Sequence, residues 1–556
     1  MKLCLPPCFS VELTSLLDQI AQQVFGYDAL HEGQRQVLEA VLKGCDTLAV
    51  MPTGSGKSAI YQIAGLRLPG LTVVISPLIA LQKDRVEAIA QQDTVKAVVL
   101  NSTLSKRERT DVFEQVASHA IEFIFLAPEQ FGNEETLACI KAAQPSLFVV
   151  DEAHCVSEWG HDFRPDYLQL GQVIEVLEHP VTLALTATAS PLVRKEIVAR
   201  LGLMSPAEIV KGFDRPNIYL EAHQFHSEEE KLHALLRAVA DAEGLGIVYV
   251  ATRKAAEQIA QALQVEGVRA AAYHAGMTAS DRDYIQTQFM EDAVDVMVAT
   301  TAFGMGIDKA NVRFVYHYHI PGSLDAYYQE IGRAARDGEP AVAKLFYVTG
   351  DMKLQRFFAG GGQVDEETLA ELAELLETTD KPPMETDLKA HFDLSQPKIS
   401  AALEALESAG LIDRGMDGEI GAIADDPDVE STVEQAMTHQ QRRKQFDQSR
   451  LHMMRGYAET DACRRDYVLS YFGEAYDGAS CGYCDNCDNS EADNTAYLQP
   501  FSVGSHIIHT NFGIGQVMRY EKDKVNVLFE TVGYKTFVTE MIVTSVTCLE
   551  DNGDQP

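Results

Sequence analysis

Over the first 350 residues, short apolar runs alternate with longer stretches of helical character. Near-continuous apolar runs are typical of parallel strands that are buried on both faces. The first series comprises Thr47–Met51, Thr72–Ser76, Phe123–Leu126, Leu147–Val150 and Thr182–Thr186, and the second comprises Gly246–Val250, Ala270–His274, Val294–Ala299, Phe314–His319 and Ala343–Tyr347. Two such series predict two doubly wound α/β domains that separate near Gly212.

The overall charge gives an ambiguous indication of partners. The 556 residues carry 46 basic and 82 acidic side chains, a net charge of −36. This excess of acid argues against a nucleic-acid binder, although net charge does not determine what a local groove binds. No apolar run approaches the roughly 20 residues of a membrane helix, and the first ten residues do not resemble a secretory signal. We therefore expect a cytoplasmic protein with no membrane association.

Residues 51–58 read Met-Pro-Thr-Gly-Ser-Gly-Lys-Ser and lie between a predicted strand and a helical stretch. This order is typical of a phosphate-binding loop, in which backbone N–H groups converge on phosphates at a helix N-terminus. Lys57 is expected to reach the β- and γ-phosphates, and the Ser58 hydroxyl is expected to bind Mg²⁺. The remaining nucleotide-binding residues of the loop are Thr53, Gly54, Ser55 and Gly56.

The segment Asp151-Glu152-Ala-His154 follows the predicted strand Leu147–Val150 directly. An aspartate at a strand end can hold Mg²⁺, and the next glutamate can orient a water for attack on the γ-phosphate. A surface acidic pair is the alternative. Because the acidic pair occurs together with the phosphate-binding loop, in the right order, the sequence favours an ATPase of the helicase type with ATP and Mg²⁺ as cofactors.

Residues Asp151 to Tyr167, which read Asp-Glu-Ala-His-Cys-Val-Ser-Glu-Trp-Gly-His-Asp-Phe-Arg-Pro-Asp-Tyr, resemble the RecQ family of DNA helicases. They match that family's Walker B motif and aromatic-rich loop. Further segments similar to family motifs are Ser76-Pro77-Leu78, Ala127-Pro128-Glu129, Thr186-Ala187-Thr188, Tyr273–Met277, Ala302–Lys309 and Gln329–Gly338. The resemblance covers roughly residues 20–350 and 440–490, and it implies tandem RecA-like domains over 1–211 and 212–350.

The resemblance also implies roles for individual residues. Gln34 and Asp308 would contact the nucleotide, His154 would belong to the catalytic set, and Ser76 would contact the DNA backbone. The aromatic-rich loop would contact single-stranded DNA and signal its presence to the ATPase, because aromatic rings and arginine stack on unpaired bases. The loop residues concerned are Trp159, His161, Phe163, Arg164 and Tyr167.

Arg333 and Arg336 are three residues apart, a spacing that places two side chains on one helix face. A guanidinium can stabilise charge on a transferring phosphoryl group. We expect Arg336 to be the catalytic arginine and Arg333 a second phosphate contact. Two positions depart from the family pattern. Ala335 stands where a glycine is usual, and Leu30-His31 replaces the usual Phe-Arg before Gln34.

Four cysteines lie at the spacing Cys463-x17-Cys481-x2-Cys484-x2-Cys487. Four thiolates suit a closed tetrahedral zinc site, and a reactive disulfide is the alternative. The surrounding segment is again similar to the RecQ zinc module. Just upstream, five basic residues with a single acid among them predict a local basic stripe despite the acidic total: Arg442, Arg443, Lys444, Arg450 and Arg455.

The C-terminal half predicts three further domains: a winged-helix-like domain over 351–432, a helical zinc-binding domain over 433–490 and a small β-barrel over 498–550. The winged-helix-like stretch 384–420 precedes the cysteines, whereas the family places a winged helix after them. It is either a DNA-contacting wing or a packing module. The barrel resembles the Tudor-like module of UvrD/PcrA-type helicases, which implies docking on RNA polymerase or a repair protein. We expect the barrel to add little to the helicase core.

The sequence as a whole predicts an ATP-dependent 3′-to-5′ DNA helicase that acts on single-stranded and duplex-junction DNA in repair or recombination. The direction of movement comes from the resemblance. The alternatives are an RNA helicase, a DNA-stimulated ATPase that remodels nucleoprotein complexes without processive unwinding, and an adaptor whose ATPase has decayed. The intact residues Lys57, Asp151, Glu152 and Arg336 argue against the adaptor.

Overall fold

A computed structural model describes most of the chain. The described residues are 17–22, 30–77, 82, 86, 95–101, 103–160, 162–304, 307, 309–360, 363–378, 383–414, 420–423, 429–474, 476, 480–489 and 497–548. The predicted site residues His161 and Asp308 lie outside them, as does Leu78. Among the described residues, no helix is both long enough and apolar enough to cross a membrane.

The chain forms two compact units, each assembled from two separate stretches of sequence. Unit 1 contains Met1–Gly212 and Gly362–Gln440, and unit 2 contains Phe213–Gly361 and Gln441–Pro556. Each unit combines one α/β sheet with part of the C-terminal half. The limits of the five predicted domains stay predictions.

Unit 1 is built on a seven-stranded parallel sheet with the strand order β3-β4-β2-β5-β6-β1-β7. Its strands are β1 (Thr47–Val50), β2 (Thr72–Ile75), β3 (Ala97–Leu100), β4 (Phe123–Leu126), β5 (Leu147–Val150), β6 (Val181–Thr186) and β7 (Ala207–Val210). Its flanking helices are α1 (Glu32–Leu42), α2 (Lys57–Arg67), α3 (Lys106–Ala117), α4 (Glu134–Ala142), α5 (Leu170–Val176) and α6 (Pro191–Arg200).

Unit 2 contains a six-stranded parallel sheet with the order β10-β11-β9-β12-β13-β8. Its strands are β8 (Ile218–Gln224), β9 (Leu245–Tyr249), β10 (Ala270–Tyr273), β11 (Val296–Ala299), β12 (Val312–His317) and β13 (Ala341–Tyr347). Its helices in this part are α7 (Glu228–Asp241), α8 (Arg253–Val265), α9 (Ala279–Met290), α10 (Leu324–Ile331) and α11 (Asp351–Gly360). The two sheets confirm the predicted pair of RecA-like parallel-sheet domains.

Three strands were missed by the sequence analysis, namely β3, β7 and β8. Each lies at an edge of its sheet, and each is only partly buried. Polar residues interrupt β7 and β8, as is usual where an edge strand has one unpaired side. β3 is a continuous apolar run, so its edge position does not explain why it was missed.

The C-terminal stretch of unit 1 folds around its own apolar core, which includes Leu372, Leu403 and Val433. It consists of α12 (Glu366–Thr378), α13 (Glu385–Phe392), α14 (Gln396–Ser408), the hairpin of β14 (Ile412–Arg414) and β15 (Ile420–Ala422), and the start of α15 (Val429–Glu459). Two helices joined by a short turn and followed by a hairpin fit the expected winged-helix-like arrangement.

The C-terminal stretch of unit 2 contains three short helices and a small antiparallel sheet. These are α16 (Arg464–Tyr471), α17 (Asp485–Asn489), β16 (His506–His509), β17 (Gly513–Glu521), β18 (Lys524–Phe529), β19 (Gly533–Val538), α18 (Thr539–Ile542) and β20 (Val546–Cys548). The sheet has the order β19-β18-β17-β16-β20 and encloses Val517, Val527 and Phe529. Its likeness to a Tudor-like module stays a prediction.

The small sheet packs directly on the helices of unit 2, which corrects the expectation that it adds little to the fold. The ring of Tyr534 stacks on Tyr471 with ring centroids 4.8 Å apart, and its hydroxyl donates to the Tyr471 carbonyl at 3.0 Å. Arg519 lies over the ring of Tyr467, 4.1 Å from its centroid. Because Tyr471 and Tyr534 are both almost fully buried, the sheet and the helices share one core.

Candidate nucleotide site, DNA-contacting loop and zinc site

The phosphate-binding loop connects β1 to α2 at the carboxyl edge of the unit 1 sheet. Gly54 and Gly56 have φ angles of 82° and 70°, in the left-handed region that favours glycine. A Cβ atom on Gly56, the N-cap of α2, would stand 2.6 Å from the Gln34 amide nitrogen. The glycines therefore permit the turn that presents the N-terminus of α2 to an anion.

Two side chains are already held against this loop. Lys57 Nζ donates to the carbonyl oxygens of Met51 and Pro52 at 3.1 and 3.2 Å. The Gln34 amide donates to the carbonyl oxygens of Ser55 and Gly56 at 2.9 and 3.2 Å. Gln34 thus contacts the phosphate-binding loop, while its predicted contact with the nucleotide stays a prediction.

The acidic pair follows β5, and β5 and β1 both pair with β6. Their carboxyl ends therefore meet at the same edge of the sheet, which is where open α/β sheets bind ligands. The Ser58 hydroxyl and the Asp151 carboxylate, on the two segments that leave this edge, are oxygen donors of the kind that Mg²⁺ prefers. Glu152 has a φ of 50°, and its N–H donates to Asp151 Oδ1 at 3.0 Å.

His154 links the acidic segment to the neighbouring strand. Its side chain is fully buried, and its Nδ1 lies 2.9 Å from Thr186 Oγ1 and 3.3 Å from a Glu152 carboxylate oxygen. Thr186 in turn donates to the carbonyl of Thr188. The Asp-Glu-Ala-His segment and the Thr186-Ala187-Thr188 segment, both similar to family motifs, are thereby in direct contact.

The aromatic-rich loop differs from its prediction at Tyr167. The Tyr167 side chain is fully buried, and its hydroxyl donates to the Asp151 carbonyl at 3.2 Å. A ring with no exposed face cannot stack on a base, so the expected DNA contact of Tyr167 is wrong for this conformation. Trp159 and Phe163 are partly exposed, whereas Arg164 pairs with Asp162 at 3.2 Å.

Other contacts connect this loop to the segment that begins with Ser76. The Arg164 guanidinium donates to the Pro77 carbonyl at 3.1 Å. The Ser76 side chain is only 5% exposed, and its carbonyl accepts from Gln82 at 2.9 Å. Ser76 therefore lies under the surface, and its contact with DNA stays a prediction.

Sequence reasoning missed the residues that hold the start of the aromatic-rich loop. The buried carboxylate of Glu158 accepts from Arg200 at 2.5 Å and from His439 of α15 at 2.9 Å. Next to it, the Ser157 hydroxyl donates to Glu196 at 2.5 Å, and burial raises the pKa of Glu196. No spacing pattern joins His439 to a loop some 280 residues earlier, so no signal in the sequence pointed to this network.

The two arginines of unit 2 do not share a helix face, because α10 ends at Ile331. Arg333 is 4% exposed, and its guanidinium donates to the Gly304 carbonyl. Arg336 follows Ala335, whose φ of 52° explains why glycine is usual there. The predicted common helix face is therefore wrong, and the phosphate contacts of both arginines stay predictions.

The four cysteines converge in unit 2. One ligand atom from each of Cys463, Cys481, Cys484 and Cys487 lies within 4.8 Å of all the others. The backbone N–H groups of Tyr483 and Cys487 donate to the sulfurs of Cys481 and Cys484 at 3.4 Å. The hydrogen bond from Cys463 and the backbone N–H groups of Cys487 and Arg464 lower the pKa of Cys484 to about 4. Four converging thiols fit a structural Zn²⁺ site.

Two members of the predicted basic stripe form ion pairs with acidic side chains. Arg450 is buried, and its guanidinium donates to Ser323 and Asp325 at 3.1 and 3.2 Å. Arg455 pairs with Glu459 at 2.9 Å. Arg450 therefore packs into unit 2, whereas Arg455 pairs within its own helix and its side chain is 39% exposed. The part of the stripe near Arg442 is also exposed.

Two parallel sheets, a phosphate-binding loop and the Asp-Glu-Ala-His segment define a helicase of the DEAD/DEAH-box class. Family profiles agree: a DEAD/DEAH box helicase profile matches residues 31–196, a helicase conserved C-terminal domain profile matches 230–338, and a RecQ zinc-binding profile matches 424–488. The probable ATP-dependent DNA helicase RecS of Bacillus subtilis is 36% identical over 512 residues, which are 90% of this chain and 99% of that protein. The chain belongs to the RecQ family of ATP-dependent DNA helicases.

Other comparisons place the chain within the same group. The RecQ helicase of Bacillus subtilis is 32% identical over 89% of this chain and 70% of its own length. The RecQ helicase of Pasteurella multocida is 44% identical, but the match covers 60% of this chain and 52% of that protein. Among solved structures, the DUF1998 helicase MrfA bound to DNA aligns with a TM-score of 0.51 at 18% identity, over 74% of this chain and 60% of that one. This last likeness shows the fold alone.

Proposed function

We propose that the protein couples ATP hydrolysis to 3′-to-5′ movement along single-stranded DNA and thereby unwinds duplex junctions in repair or recombination. The observation that carries this proposal is the contact chain in unit 1. The Tyr167 hydroxyl at the end of the aromatic-rich loop contacts the Asp151 carbonyl, and His154 contacts both Glu152 and Thr186. A rearrangement of the loop on DNA would therefore reach the residues that hold Mg²⁺ and orient water.

Each residue of the nucleotide site has a role in this proposal. Lys57 and the N–H groups at the start of α2 bind phosphates, and Glu152 orients the attacking water. Arg336, with Arg333, stabilises charge on the transferring phosphoryl group, and Asp308 contacts the nucleotide. Mg²⁺ held by Ser58 and Asp151 would neutralise charge between the β- and γ-phosphates.

The DNA contacts rest on Trp159, His161, Phe163 and Arg164, with Ser76 nearby in the fold. We also propose the five domain limits predicted from the sequence. A cytoplasmic location is part of the proposal as well, because the proposed substrates are ATP and DNA. We also propose that the barrel, residues 498–550, docks on a protein such as RNA polymerase or a repair protein. The family resemblance of the barrel supports this partner.

The deciding experiment compares unwinding of matched duplexes that carry a 3′ tail, a 5′ tail, a fork or a four-way junction. We expect ATP-dependent strand separation with the 3′-tailed and forked DNA and none with the 5′-tailed DNA. The same duplexes made of RNA test the RNA-helicase alternative. DNA-stimulated ATP hydrolysis without strand separation on any substrate would instead support remodelling of nucleoprotein complexes.

A further inference from the structure

The last turns of α11 in unit 2 carry two adjacent exposed phenylalanines. Phe357 is 74% exposed and Phe358 is 48% exposed, and their ring centroids are 6.0 Å apart at an interplanar angle of 59°. Isolated apolar side chains on a surface need no explanation, whereas a pair of aromatic rings in contact with water indicates a binding surface.

Two cations accompany these rings. Lys353 and Arg356 are exposed; Lys353 lies four residues before Phe357, on the same helix face, and Arg356 lies directly before Phe357 and three residues after Lys353. Within the part of the chain that the structure describes, neither cation pairs with an acid. The one acid of α11, Asp351, is buried against Lys231 at 2.8 Å. This face is therefore basic in a chain whose net charge is −36.

Phe358 also borders a cavity of about 300 Å³, which is lined by Ala251, Thr301, His319 and Gly322 as well. The cavity lies at the carboxyl ends of β9 and β12, which are neighbours in the sheet and whose connections leave in opposite directions. This is the topological switch point, where open α/β sheets bind ligands. Burial lowers the pKa of His319 to about 4, so this lining side chain is neutral. The cations Lys353 and Arg356 lie on the helix that contributes Phe358 to the lining.

We propose that Phe357 and Phe358, together with Lys353 and Arg356, form a second base-stacking platform for single-stranded DNA, on unit 2. Aromatic rings stack on bases of any sequence, and adjacent cations neutralise the phosphates between them. The platform extends the proposed helicase function and rests on it. A protein partner is the competing occupant of this surface. An apolar protein surface would bind leucine at position 357 as well as it binds phenylalanine, whereas stacking on a base requires the ring.

The first test measures binding of a fluorescein-labelled thymidine oligonucleotide to the full-length protein by anisotropy. Phe357→Leu keeps the apolar side chain but removes the ring, and Phe357→Trp keeps a ring. We expect Phe357→Leu to bind about ten-fold more weakly and Phe357→Trp to bind within about two-fold of the wild type. Tyr284→Leu, which removes another exposed ring of unit 2, is the matched control and should leave the affinity unchanged.

The second test measures the salt dependence of the same binding. Replacement of Lys353 and Arg356 by glutamine should reduce the slope of log affinity against log salt concentration by about 0.7 for each lost phosphate contact. Lys524→Gln on the barrel is the control for the loss of a lysine elsewhere on the protein. Wild-type affinity for Phe357→Leu, or an unchanged slope for the double variant, would overturn the platform. If the wild-type protein itself failed to bind the oligonucleotide, the proposed helicase function would be wrong instead.

Discussion

At the scale of single residues, the position of Glu152 has the clearest consequence for catalysis. Glu152 follows the strand-end Asp151, adopts a left-handed backbone conformation and lies 3.3 Å from His154. The backbone at this position is strained for a residue other than glycine, and strain of this kind is concentrated at functional sites. The carboxylate is thus placed by the fold at the edge where the phosphate-binding loop also ends.

Glu152→Gln should retain nucleotide binding and lose hydrolysis, because the amide cannot accept a proton from the attacking water. We expect DNA-stimulated ATP turnover to fall by at least ~100-fold, which corresponds to an increase of about 2.7 kcal/mol in activation free energy at 25 °C. Lys57→Ala should instead weaken the binding of a fluorescent ATP analogue. Glu208→Gln, which changes an exposed acid of β7, is the control, and turnover of Glu152→Gln close to that of the control would exclude the assigned role.

At the scale of elements, the network around Glu158 joins α15 to the aromatic-rich loop within unit 1. His439→Leu removes one of two hydrogen-bond donors from a buried carboxylate, which should loosen the loop at the residue next to Trp159. Because Trp159 is the only tryptophan, its emission reports the loop without background. We expect greater quenching by acrylamide in His439→Leu than in the wild type.

His439→Gln and Gln435→Ala serve as the comparisons for this loop. The glutamine amide can still donate to Glu158, so His439→Gln should restore much of the protection. Gln435 is exposed on the same helix, and Gln435→Ala should quench as the wild type does. Equal quenching in all four proteins would show that α15 does not hold the loop.

The zinc site is a second element whose stability depends on four side chains, all within residues 463–487. Zinc binding contributes folding free energy to a small module, so one equivalent of zinc should co-purify with the chain. Cys484→Ser should lose the metal and lower thermal stability and DNA binding more than it lowers basal ATP hydrolysis. Elemental analysis and a melting curve measure both effects, with Cys139→Ser as a control outside the cluster. Full zinc content in Cys484→Ser would contradict the four-cysteine assignment.

At the scale of the whole molecule, the barrel is part of the core of unit 2. Tyr534 is 2% exposed, its N–H donates to Ser449 and its ring stacks on Tyr471. Truncation of a buried aromatic side chain typically costs about 3–5 kcal/mol. Tyr534→Ala should therefore destabilise the zinc-binding helices as well as the barrel.

This prediction is checked by hydrogen exchange, with Tyr497→Ala, a more exposed tyrosine of the same stretch, as the control. We expect faster exchange over α16 in Tyr534→Ala and no change in the control. Removal of the barrel should likewise destabilise the zinc-binding helices, in addition to any loss of partner binding, since it would expose Tyr471 and Tyr467. If α16 exchanged at the wild-type rate in Tyr534→Ala, the barrel would be an independent module after all.

The sequence by itself determined the features that are local in the chain. Continuous apolar runs specified the central strands, glycine spacing specified the phosphate-binding loop, and the cysteine spacing specified the metal site, because each of these patterns is set by contacts within a short segment. The tertiary structure decided the rest. The packing of distant segments decides whether Tyr167 and Arg450 face solvent and whether His439 contacts Glu158. Local spacing cannot encode such contacts, since burial is a property of the assembled core.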